Sequence, residues 1–209
     1  MIRIACLHTA PSNVAVLEAA AAAIRPGALA LSHTLRADLL ADMEAAGGLT
    51  ADIRARGSAA IDALLADHDG VLITCSSLGA LANGASVQRV DAALARAAVR
   101  SGRAVTVLCA SPTTVRPTTD LFAAAAVETG AVVDTRMVDG AWPLFRGGDV
   151  DAYLHRIAEA AAMALSDGAD VVALAQVSMS GAAELVVDPR GRVLASPAAA
   201  LQAWLDSVT

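Results

Sequence analysis

The residues with the most chemical potential stand in Val71-Leu72-Ile73-Thr74-Cys75-Ser76-Ser77-Leu78-Gly79, where an apolar run gives way to one thiol among hydroxyls and then to a helix-like segment. A thiol at such a junction lies beside backbone N–H groups, whose partial positive charge favours the thiolate, the form that acts as nucleophile or base. Thr74, Ser76 and Ser77 add donors suited to a carboxylate or an enolate oxygen. The competing reading makes Cys75 a small buried apolar residue, the ordinary fate of a free cysteine. Cys6 and Cys109 lie within or at the end of hydrophobic runs and are expected to pack. With no CxxC spacing among the three cysteines, free thiols are expected and a disulfide framework is not.

Two loops carry further candidates. In Cys6-Leu7-His8-Thr9-Ala10-Pro11-Ser12-Asn13, Thr9, Ser12 and Asn13 form either an anion-binding turn or simply the cap of the next helix. His8 is a candidate acid or base near neutral pH, or else a hydrogen-bonded structural residue. In Cys109-Ala110-Ser111-Pro112-Thr113-Thr114, the hydroxyls of Ser111, Thr113 and Thr114 again either cap a helix or hold a carboxylate. His33, His68 and His155 have no partner at ligand spacing, so no metal site is expected.

The elements that position these loops alternate short apolar runs with Ala-rich stretches of helical length, the pattern of parallel sheets covered by helices. Strands are expected near 2–7, 28–34, 70–74, 104–109, 131–137 and 170–175, and helices near 12–24, 50–67, 86–101, 114–129, 150–167, 180–187 and 197–207. Pro26-Gly27, Gly47-Gly48, Ser101-Gly102, Gly147-Gly148 and Pro189-Arg190-Gly191 read as turns.

The pattern repeats. A shift of 101 residues pairs Ile4 with Val105, Pro11 with Pro112, Asp69 with Asp170, Cys75 with Gln176 and Ser77 with Ser178. Pro-Gly-Ala at 26–28 answers Thr-Gly-Ala at 129–131 after a short slip. The expected architecture is α/β with two pseudo-symmetric lobes, 1–102 plus 191–209 and 103–190, each a short, mainly parallel sheet flanked by helices. An active-site cleft between them is expected, because ligands of open parallel sheets sit beyond the carboxyl ends of the strands. Gln176 occupies the mirror position of Cys75. It can donate and accept hydrogen bonds but cannot act as a base.

Bulk properties narrow the partners. A net charge of −6 with no run of arginines argues against nucleic acid, which needs a clustered basic face. Despite a mean hydropathy of +0.56, every apolar run is cut before the roughly 18–20 residues a bilayer span requires. The start, Met1-Ile2-Arg3-Ile4-Ala5, reads straight into a strand without a secretory leader, and a cytoplasmic protein is expected.

Together, the duplicated lobes, Thr74-Cys75-Ser76-Ser77 and Ser111-Pro112-Thr113-Thr114 resemble the aspartate/glutamate racemase superfamily, which includes glutamate, aspartate and hydantoin racemases, maleate isomerase and arylmalonate decarboxylase. The resemblance implies a homodimer without cofactor, acting on a small carboxylate substrate. The family's racemases place one cysteine in each lobe, on opposite faces of the substrate carbon. Cys75 matches the first, and Gln176 stands where the second is expected. By this resemblance the chain is an isomerase or racemase pairing Cys75 with another proton carrier, His8 or Ser178 being nearest by position. Its alternatives are a one-thiol decarboxylase, lyase or cis–trans isomerase, and a non-catalytic carboxylate-binding protein. Thr9, Ser12, Asn13, Ser76, Ser111, Thr113 and Thr114 would hold substrate oxygens, with Arg116 the nearest charged donor.

Overall fold

The computed structural model describes residues 1–24, 27–187 and 191–207. The chain divides into two compact units, Met1–Ala92 together with the segment from Pro197 on, and Ala93–Ser196. The first runs β1 (Ile2–His8), α1 (Asn13–Ile24), β2 (Leu29–Leu35), α2 (Ala37–Ala46), α3 (Ala51–Leu65), β3 (Gly70–Ile73), a 3₁₀ segment (Ser76–Leu81) and β4 (Val87–Arg89). Then follow α4 (Asp91–Ser101), β5 (Ala104–Cys109), α5 (Pro112–Ala126), β6 (Val132–Met137), α6 (Ala141–Arg146), α7 (Val150–Ser166), β7 (Val171–Leu174), a second 3₁₀ segment (Val177–Leu185) and β8 (Arg192–Ala195). The last element, α8 (Ser196–Asp206), belongs to the first unit from Pro197 on.

Each unit is built on a four-stranded parallel sheet, ordered β2-β1-β3-β4 in one and β6-β5-β7-β8 in the other. The central strands β3 and β7 are buried at every position, as all-apolar strands covered by helices on both faces must be. In the second unit the period of two sorts the sheet's faces. Leu108, Val172 and Leu174 pack with Tyr153, Ile157 and Ala161 of α7, whereas Val105, Val107, Val171 and Ala173 pack with Leu94 and Ala98 of α4 and Phe122 of α5.

The repeat extends to individual bonds. Asp69 accepts the Arg3 N–H at 2.8 Å through Oδ2, and Asp170 accepts those of Arg103 and Ala104 at 2.8 and 2.9 Å. Both carboxyl groups are held below their ordinary range, first by these backbone donors. Gly27 and Gly130, in the matching turns before β2 and β6, both adopt left-handed backbone (φ 78° and 70°), where a side chain would be strained.

Several elements depart from the sequence expectation. The helix expected from 86 starts at Asp91, because Val87–Arg89 pairs with β3 as an edge strand. Residues 37–46 form α2, and 141–146 form α6, in stretches where periodicity marked no element. Arg192–Ala195 forms β8, and the helix expected near 180–187 is the 3₁₀ segment Val177–Leu185. Pro26 and the Pro189-Arg190 part of its turn lie outside the described residues. Among the described residues, no helix is long and apolar enough to cross a membrane.

Candidate active site

Cys75 leaves β3 in extended backbone (φ −106°, ψ 112°) and leads directly into the first 3₁₀ segment, whose leading N–H groups lack partners within the segment. Its thiolate form is favoured by hydrogen bonds from the Thr9 side chain, the backbone N–H groups of Leu78 and Ser77, and the Ser77 side chain, the Leu78 N–H being shared with the Cys75 carbonyl at 3.0 Å. Burial outweighs them and pushes the thiol above its ordinary range, while the donors pull it back toward the thiolate. The residue is 8% exposed and its thiol is free. The first 3₁₀ segment is set by packing as well. A Cβ on Gly79 would lie 2.4 Å from Cζ of Arg89, whose guanidinium donates to the fully buried Asp91 at 2.6 and 2.8 Å. Sequence reasoning passed over this pair; two opposite charges two residues apart at the mouth of α4 were its signal.

Thr74 faces a different set of groups. Its hydroxyl oxygen lies 3.1 Å from the Leu7 carbonyl oxygen and 2.8 Å from His8 Nδ1, and its one proton goes to one of the two. His8 Nε2 lies 2.8 Å from His33 Nδ1, and His33 Nε2 lies 2.7 Å from Glu18 Oε1. Both ring nitrogens of His8 are therefore engaged within this chain of groups. Burial, with the neighbouring His33 second, lowers His8 to about 4, so it is neutral at physiological pH. Parallel pairing of β1 and β2 sets Cys6 opposite His33 and makes the chain possible. His33 thus has partners that its sequence neighbourhood did not disclose. Cys6, fully buried, is pushed up to about 12 by burial and then by the charge of Glu18.

The other expected residues of the first unit divide. Thr9, Ser76 and Ser77 are buried beside Cys75, and Ser12 is exposed. Asn13 opens α1 but does not cap it through its oxygen, because its buried Oδ1 has no hydrogen-bond partner.

In the second unit, Gln176 takes the corresponding place after β7 with similar backbone (φ −112°, ψ 140°). Its Oε1 accepts from the N–H groups of Ala110 at 2.6 Å and Ser111 at 3.0 Å, and Thr114 Oγ1 lies 3.3 Å away. The two backbone donors identify this atom as the amide oxygen and turn the NH₂ group away from them; the single proton of Thr114 goes to the nearer Ser111 carbonyl. Ser111 does not cap α5 through its side chain; its hydroxyl pairs with Thr113 Oγ1 at 3.0 Å, and Thr114 Oγ1 donates to the Ser111 carbonyl at 2.6 Å. Ser178 Oγ lies 2.9 Å from the hydroxyl of Tyr153, a fully buried residue of α7 whose phenol is kept protonated by burial. Tyr153 is the chain's one tyrosine, and its polar tip among the otherwise apolar buried residues of α7 was the available signal. Arg116 points into solvent, with its side chain 92% exposed and near Asp120. His68 bonds Ser32 and the Leu64 carbonyl, and His155 the Asp151 carbonyl.

No family profile and no curated relative matches the chain. Solved structures do. An aspartate racemase from Picrophilus torridus superimposes with a TM-score of 0.74 at 13% identity, over 99% of this chain and 94% of its own. An allantoin racemase from Klebsiella pneumoniae gives 0.72 at 16% identity over 100% and 88%, and a glutamate racemase from Bacillus anthracis 0.72 at 12% over 99% and 81%. With two like-ordered parallel sheets flanked by helices over its whole length, the chain has the fold of the aspartate, glutamate and allantoin racemases.

Proposed function

We propose that the chain is a cofactor-independent isomerase or racemase of the aspartate/glutamate racemase superfamily, acting at the carbon next to a carboxylate of a small amino acid or dicarboxylate. The observation that carries this reading is the Cys75 sulfur at a strand's carboxyl end, met by two backbone N–H groups and two hydroxyls. Those donors match the needs of a thiolate that takes a proton from carbon and returns one, and the same kind of donor meets the charge of an enediolate. Thr9, Ser76 and Ser77 hold substrate oxygens in the first unit.

The second unit supplies hydrogen bonds. Gln176, its oxygen fixed by Ala110 and Ser111, offers its NH₂ group as an oriented donor to a substrate oxygen and moves no proton. Ser178 with Tyr153 is the pair that carries a second proton in a two-sided racemisation. His8 is committed to Thr74 and His33 and serves to position Thr74. The fixed Gln176 also favours a second reading, in which Cys75 works alone and delivers one proton to an enediolate after decarboxylation, or adds reversibly to an alkene.

The test is proton exchange in heavy water, followed by NMR over a panel of amino acids, hydantoins, malonates and maleate. Exchange with inversion of configuration supports the two-sided reaction, and exchange with retention, or turnover of malonate or maleate, the one-thiol reading. Tight carboxylate binding without any exchange makes the chain a binding protein and refutes catalysis.

A further inference from the structure

The His8–His33 pair is the middle of a polar chain that runs from Thr74 to Glu18. Glu18 as a carboxylate only accepts, so His33 donates to it through Nε2–H and, as a neutral ring, presents a lone pair at Nδ1. His8 Nε2 lies 2.8 Å from that nitrogen, and His8 Nδ1 lies 2.8 Å from the Thr74 oxygen. With the Thr74 hydroxyl donating to Nδ1, an Nε2–H of His8 fills the place between the rings; with that hydroxyl donating to the Leu7 carbonyl, His8 carries its proton on Nδ1 and a metal ion can take that place.

A third group decides between these. Cys6 shares the β1 face with His8, two residues on, and stands in register with His33 on β2. The Cys6 sulfur and the two ring nitrogens all lie within 4.8 Å of one another. One thiolate and two imidazoles suit zinc, cobalt or copper and do not suit magnesium or calcium, which take oxygen ligands. Zinc at its usual bond lengths holds such ligands about 3.3–3.8 Å apart, so adjustments of the side chains suffice. The outer partners are also in place. Glu18 orients His33 and Thr74 orients His8, as the second nitrogens of metal-bound histidines are commonly held. We infer that Cys6, His8 and His33 form a site for a thiophilic divalent transition-metal ion, with Glu18 and Thr74 as its outer supports. Binding of M²⁺ displaces the Cys6 thiol proton, while the His8 proton passes from Nε2 to Nδ1, where the Thr74 oxygen accepts it, so one proton leaves as the ion enters. The ion would tie β1 to β2 beneath Thr74, the residue that precedes Cys75.

The test needs no assay of activity. Protein freed of metal with a chelator is titrated with Co²⁺ and Zn²⁺ alone, following the cobalt–thiolate charge-transfer absorption and the ¹⁵N shifts of labelled histidines. The inference expects one ion per chain, a charge-transfer band lost in Cys6→Ser, and shifts at His8 and His33 but not at His68 or His155. Glu18→Gln, at a half-exposed side chain whose replacement leaves the core intact, should weaken binding about ten- to a hundredfold. Should the folded wild type retain no ion, bind cobalt without the thiolate band, or show its shifts at other histidines, the pair holds only a hydrogen bond and the inference is overturned.

Discussion

Replacing Gln176 with methionine isolates the amide oxygen, because the two side chains have similar length and shape but only glutamine offers an acceptor there. Two backbone donors converge on that oxygen, the N–H groups of Ala110 and Ser111, on residues only 2% and 1% exposed. A buried donor left without a partner costs about 1–3 kcal/mol. The Thr114 hydroxyl, which donates to the Ser111 carbonyl, is unaffected, so the two N–H groups are the donors stranded. Relaxation and the added apolar burial of methionine offset part of this, and the net loss should be about 2–4 kcal/mol. Urea denaturation followed by far-ultraviolet circular dichroism measures the loss. Amide hydrogen exchange at Ala110 and Ser111 locates it, since those two protons should lose protection before their neighbours. A loss under about 1 kcal/mol, with protection unchanged at Ala110 and Ser111, would refute the anchored oxygen and with it the oriented NH₂ donor.

Other perturbations probe the surroundings of Cys75. Thr9→Val removes the strongest of the donors to the thiol and should push it further above its ordinary range; iodoacetamide alkylation of Cys75 at fixed pH should slow about three- to tenfold, and the alkaline rise of its rate should move to higher pH. An unchanged profile would show that the hydroxyl does not bear on the sulfur. Gly79→Ala drives a Cβ into an Arg89 side chain already tied to buried Asp91 and should cost about 1–3 kcal/mol in thermal denaturation, together with reduced turnover. Gly70→Ala places a Cβ 2.1 Å from the Trp204 ring, so a red-shifted tryptophan emission and a similar loss of stability are expected, and unaltered emission would contradict the packing of α8 on β3.

What could be read from the sequence followed its periodicities. The central strands are all-apolar and bounded by turns, and the 101-residue repeat linked Asp69 to Asp170 and Cys75 to Gln176 before any contact was known. Edge strands were harder. Val87–Arg89 and Arg192–Ala195 are only partly buried and very short, so neither alternation nor an apolar run marked them. α2 packs through Leu39, Leu40 and Met43 and also carries three charges, and its apolar stripe is narrow. At the site, Cys75 was visible because its signal is local, a thiol at a strand-to-turn junction. The His8–His33–Glu18 chain was not, because it depends on the register of β1 with β2 and on the placement of α1, which no spacing along the chain reveals. Gln176 was recognised as unable to carry a proton, whereas its two backbone donors come from another loop.

The central claim is that the Cys75 sulfur moves the proton. Its most direct test compares wild type with Cys75→Ala in heavy water, on whichever carboxylate of the panel the wild type exchanges, with ligand binding measured in parallel. The account predicts exchange reduced by about two to four orders of magnitude while binding is retained, because the donors of Thr9 and Ser77 remain. Exchange at the wild-type rate in Cys75→Ala would place the chemistry elsewhere and contradict the account.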